Sequence, residues 1–99
     1  MALTNADILN FLKIDLQISA KAYDDFLENT ITLAKAAIER EGITLQDNVE
    51  DGMLIEMYAA YLYRKRKENG PMPRALRYAL NIRRLSKNRV MTEGGENNG

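Results

Sequence analysis

The chain has 99 residues, 45% of them apolar, which bounds it to one small domain with a modest core of its own. It contains no histidine and no cysteine, which excludes Ser–His and Cys–His nucleophilic triads, disulfides and thiolate metal sites. The net charge is zero but polarised: residues 1–63 carry four cations against eleven anions, and residues 64–89 carry ten cations against Glu68 alone. Such asymmetry bears on association rather than on fold. No apolar run reaches the roughly 18 residues of a membrane span. The opening MALTNADILNFLK has no basic leader region or cleavage site, so a cytoplasmic protein is the expectation.

The pattern predicts an all-α domain over 1–87, a small bundle of about four helices, followed by a flexible tail over 88–99. Helix 1 is expected from about residue 5 to 13, with Thr4 as N-cap and Asp7 reaching back to a free backbone donor. Helix 2 is expected from about 20 to 41. Ser19 is its candidate cap, Asp24 and Asp25 suit its positive end, and Gly42 is its stop. Its apolar residues, Tyr23, Phe26, Leu27, Ile31, Leu33, Ala34, Ala37 and Ile38, fall within roughly 160°. Asp25, Glu28, Lys35 and Glu39 lie opposite.

Helix 3 is expected from about 49 to 68, capped by Asp47 or Asn48 and ended by Gly70. Its middle, MLIEMYAAYLY, contains one charge, Glu56, and is apolar on every side, so it is predicted to be the central helix. Helix 4 is expected from about 73 to 86, with Pro73 at its first position. Its apolar arc of roughly 220° leaves Arg74, Arg77, Asn81 and Arg84 a narrow polar stripe, with Arg83 inside the arc. So wide an arc exceeds what one core contact uses and implies a second partner, another chain. The segment NRVMTEGGENNG, 88–99, has the composition of a flexible tail.

No motif for catalysis or cofactor binding is present: no GxxxxGK[ST], no GxGxxG and no EF-hand loop. Adjacent helical residues point about 100° apart, so Asp24-Asp25 and Glu50-Asp51 suit helix starts rather than a metal site. No enzyme, metal or cofactor is expected. Glu56 has two readings: a buried ion-pair partner for Arg83 or for a neighbouring subunit's arginine, or a carboxylate reaching water at the bundle edge. Tyr58, Tyr61 and Tyr63 lie on three sides of helix 3, which favours core packing over a base-stacking surface.

The stretch YLYRKRKENGPMPRALRYALNIRR, residues 61–84, has three readings. The cations Arg64, Lys65, Arg66 and Lys67 answer the negative end of helix 3. Two helices about a short turn imitate a helix-turn-helix for DNA, although the polar stripe of helix 4 is narrow for reading a groove. A cationic edge facing anionic surfaces suits head-to-tail assembly of identical subunits.

The order of these pieces resembles the phage head–tail connector family, also called head-completion or adaptor proteins. The resemblance runs from Leu3-Thr4, Ile8, Phe11-Leu12 and Ile14-Asp15 through Asp24-Asp25, Leu27, Ile31, Ala34 and Ile38. It continues through Ala60-Tyr61-Leu62-Tyr63-Arg64 to Met72-Pro73, Leu76 and Leu80, covering roughly residues 3–86. The link GITLQDN is shorter than the excursion in many relatives. The resemblance implies a structural, non-catalytic subunit at the virion's head–tail junction. It would form a ring of about a dozen copies under the portal protein, extending the DNA channel without sequence-specific DNA binding and docking a tail or stopper protein. It also implies portal engagement by the end of helix 4 and the tail. The expected contact sets Arg64, Arg66, Arg74, Arg77, Arg83 and Arg84 of one copy against acids of the next: Asp24, Asp25 and Glu28 of helix 2, or the start of helix 3. Glu56 is a further candidate. A small DNA-binding phage regulator is the alternative.

Overall fold

The computed structural model describes residues 3–96, with side chains over 3–85. The protein is an all-α bundle of four helices: α1 (Asn5–Leu16), α2 (Asp24–Arg40), α3 (Val49–Glu68) and α4 (Arg74–Glu96), with a 3-10 turn over Lys21–Tyr23. The flexible tail expected over 88–99 lies outside the residues described with side chains.

α1 opens with the expected capping box. Thr4 Oγ1 accepts from the Asp7 N–H at 3.0 Å, and Asp7 Oδ2 accepts from the Thr4 N–H at 3.1 Å. The helix runs three residues past the expected end because the first left-handed position is Gln17, at φ 59°. There the Gln17 and Ile18 N–H groups close onto the Ile14 and Lys13 carbonyls.

α2 starts later than its pattern suggested. The chain leaves Gln17 through a short link and makes the 3-10 turn first, so Ser19 is too far away to cap and Tyr23 at the N-cap offers no side-chain bond. Asp24 and Asp25 supply the negative charge that this end needs. Gly42, at φ 93°, takes the conformation that stops the helix, as expected.

α3 has the expected limits. Of the two candidate caps, Asn48 is used: its side chain accepts from the Asp51 N–H at 2.8 Å. The left-handed C-cap is Asn69, one residue before the expected Gly70, and its N–H closes onto the Lys65 carbonyl. Pro73 precedes α4 rather than opening it, its carbonyl accepting from Arg77 N–H.

The central position of α3 follows from its apolar girth. It packs against α1, α2 and α4, and Leu54, Ile55, Tyr58, Ala59 and Ala60 are buried within it. α1 contributes Ile8 and Leu12, α2 contributes Leu27, Ile31, Ala34 and Ile38, and α4 contributes Leu76 and Leu80. Gly52 lets the N-terminal segment cross α3 closely, since a Cβ there would lie 2.9–3.1 Å from Leu3 side-chain atoms. No described helix is long and apolar enough to cross a membrane.

Candidate interaction surface

The arginines of 64–84 divide by helical geometry. With Leu80 taken as pointing inward, 100° per residue puts Arg77, Arg83 and Arg84 within roughly 60° of the buried side of α4. All three reach carboxylates of their own chain. Arg83 makes a two-pronged pair with Asp51, Nε to Oδ1 at 2.8 Å and Nη2 to Oδ2 at 3.0 Å, and donates to the Thr44 carbonyl at 2.7 Å. Asp51 is 1% exposed and also accepts from the Gln46 N–H at 2.6 Å. One guanidinium thus ties α4 to the start of α3 and to the loop before it, and the hydrogen-bonded Asp51 holds the Arg83 pKa above its ordinary value. Arg77 and Arg84, one heptad apart, share Glu41, each with a contact of 3.1 Å. Arg84 also donates to the Asn81 side chain at 2.6 Å.

The expected Glu56–Arg83 pair is not made, because Arg83 lies beside Asp51. Nor does Glu56 reach water: it is 5% exposed, and its Oε2 has no hydrogen-bond partner. Its carboxyl faces Asp15 of α1. Burial, then the hydrogen bond and charge of Asp15, push the Glu56 pKa up from 4.5 to about 8, against the pull of Arg64. Burial beside Asp15 thus favours the protonated form of Glu56, the form that can donate to the Asp15 carboxylate. Asp15 is held below its ordinary value by that bond and by Arg64, against partial burial. Arg64 donates to Asp15 Oδ1 at 3.1 Å and to its carbonyl at 3.2 Å.

Of the other candidate residues, Asp24 pairs with Lys13 at 2.6 Å. Arg66 lies over the Phe26 ring, 4.9 Å from its centre. Its neighbours behave alike: Lys65 stands over Tyr61 at 5.8 Å and Lys67 over Tyr63 at 5.4 Å. The tyrosines are bundle residues, as expected. Tyr58 is buried, which raises its pKa together with the charge of Glu41, and it meets Tyr61 edge-on at 5.8 Å. Tyr63 meets Phe26 edge-on at 6.2 Å. Arg74, Asp25 and Glu28 are exposed and form no ion pair among the described residues. The candidate residues therefore do not form one patch. Arg64, Arg77, Arg83, Arg84 and Asp24 hold the fold, Glu56 is interior, and Arg66, Arg74, Asp25 and Glu28 face outward.

The second partner face predicted for α4 is apolar. Ala75, Tyr78, Ile82 and Leu85 lie roughly 140–160° from Leu80, directly away from the bundle. Tyr78 is 69% exposed, Ile82 44% and Leu85 56%. Their spacing of three, four and three residues is that of a helix–helix seam. Sequence reasoning missed Asp51 and Glu41 as the acceptors of these arginines. Both lie more than 30 residues from their partners, and no local pattern links them. Among the described residues no group of three or more potential metal ligands converges.

In comparisons with known proteins, no family model, curated protein or solved structure matches this chain.

Proposed function

We propose that the chain is a structural subunit of a phage or prophage head–tail connector, non-catalytic, assembling as a ring beneath the portal protein at the head–tail junction. In that role it extends the DNA channel and docks the tail or stopper. The observation that carries the reading is the outer face of α4. A helix anchored on its inner side by Leu76, Leu80 and Arg83 leaves an ordered apolar seam in water on its outer side. Such a seam suits a protein–protein contact. The sequence resemblance supplies the kind of assembly.

The DNA-binding alternative draws on Lys65, Arg66 and Lys67, which have no carboxylate partner among the described residues. The arginines of α4 favour the connector. Arg77, Arg83 and Arg84 are paired with Glu41 and Asp51, which neutralise charge that contacts to phosphates would use. Native mass spectrometry of the chain with the portal protein of the same genome tests the reading. A portal-bound ring is expected, and a chain that stays monomeric beside an intact portal contradicts it. A tight complex with short duplex DNA that weakens steeply with salt supports the regulator instead.

A further inference from the structure

We propose that the outer face of α4 docks on the first half of α3 of a second copy of this chain, in a head-to-tail contact. The proposal rests on the assembly reading above and names the two surfaces that meet. The α4 face is the seam of Ala75, Tyr78, Ile82 and Leu85, bordered by Arg74, which is exposed and without an ion pair among the described residues. Its complement is the outward side of α3, where Val49 is 43% exposed and Met53 38% exposed. That side is bordered by Asp47 and Glu50, both exposed and in no ion pair among the described residues.

These faces cannot meet within one chain. The α4 seam points directly away from the α3 against which α4 is packed, so the receiving α3 belongs to another molecule. Charge selects the receiver. Leu33, an exposed apolar residue of α2, lines a cleft of about 410 Å³ together with Lys65 and Arg66, a cationic rim that repels Arg74. Ile14, exposed on α1, lies in a hollow with Lys13 and the neutral Asn10, Gln17 and Ser19. Tyr23, exposed before α2, lines a cleft with Arg66 and Lys67, a second cationic rim. Among these faces of the described residues, the α3 face joins exposed apolar side chains to carboxylates without a cation paired to them. Pairing α4 with α4 leaves Arg74 and both carboxylates unanswered. A contact that uses a different surface on each copy leaves every copy one free donor face and one free acceptor face, so it extends to a chain or closes to a ring.

Two variants, each damaging one face, separate these geometries. Ile82→Asp removes the donor seam and keeps the α3 face, whereas Met53→Asp does the reverse. Both sites are exposed enough to accept a carboxylate in the folded chain, which circular dichroism verifies. In sedimentation equilibrium up to about 1 mM, the wild type is expected to self-associate. Each variant alone should associate at least tenfold more weakly, about 1.4 kcal/mol. An equimolar mixture should give a 1:1 dimer and nothing larger, because one intact pair of faces remains. The charge exchange Arg74→Glu with Glu50→Arg should restore association that Arg74→Glu alone weakens. Three results overturn the proposal: Met53→Asp associating like the wild type, a mixture that stays monomeric, or a wild type that stays monomeric throughout. If portal-bound rings form despite any of these, this contact is wrong and the connector reading stands. If no portal-bound ring forms while the mixed dimer does, the connector reading falls and the contact stands.

Discussion

The fold holds the proton of Glu56 more tightly than the unfolded chain does, and this fixes the sign of a pH effect. In the unfolded chain it ionises near 4.5, whereas in the bundle it holds its proton to about 8. Between those values the folded state binds the extra proton, so this group lowers stability as pH rises, by at most about 1.4 kcal/mol per pH unit. Its stabilising influence is complete below 4.5 and lost by the time pH passes about 8. Asp15 acts oppositely but below its ordinary 3.8, in a separate window. Glu56→Gln should therefore flatten the fall in urea-unfolding free energy from pH 5 to 8 and leave the variant more stable than the wild type at pH 8. An unchanged pH slope in the variant contradicts this assignment. Arg83 has the opposite character, a charge whose removal strands another. Arg83→Ala leaves Asp51 buried and unpaired and should cost about 3–5 kcal/mol in denaturant unfolding. Arg83→Lys should not rescue it fully, since an ammonium cannot span both carboxylate oxygens and the Thr44 carbonyl in that geometry. Sequence periodicity placed Arg83 inside an apolar arc but could not name its partner, because 32 residues of chain separate it from Asp51.

The helices were legible where the signal was local. Thr4 with Asp7, and Gly42 with its positive φ, rest on bonds or dihedrals within a few residues. The apolar girth of MLIEMYAAYLY was enough to make α3 central, since such a helix has to be covered on most sides. The start of α2 was not legible, because a 3-10 turn over Lys21–Tyr23 intervenes between Ser19 and the helix, and no side chain caps either start. The end of α3 at Glu68 was legible, but its left-handed residue was misassigned by one position, because Gly70 outranks Asn69 by propensity, yet Asn69 takes that position at φ 56°. That position gives an element-scale test. Asn69→Gly should be neutral or slightly stabilising, and Asn69→Val should lower stability by about 1–2 kcal/mol, measured by thermal unfolding. Equal melting temperatures for the two variants contradict a left-handed cap there.

At the scale of the whole molecule, the charge asymmetry of the sequence is partly consumed inside the fold. Arg64, Arg77, Arg83 and Arg84 pair within the chain, whereas Lys65, Arg66, Lys67 and Arg74 make no ion pair among the described residues. The four paired arginines reach back to Asp15, Glu41 and Asp51, so part of the polarity along the chain becomes a set of internal ties. One-dimensional charge counting could not separate arginines that close the bundle from those left outside, because that depends on where α4 lands on α3. The surplus apolar arc of α4 was legible, and it is what remains unanswered in the isolated chain. The account's central claim is that the outer face of α4 becomes covered in the assembly. Oxidative footprinting of Tyr78, read by mass spectrometry in the free chain and in the portal-bound complex, tests this most directly. The account predicts strong protection of Tyr78 in the complex, and a complex in which Tyr78 is labelled as readily as in the free chain contradicts it.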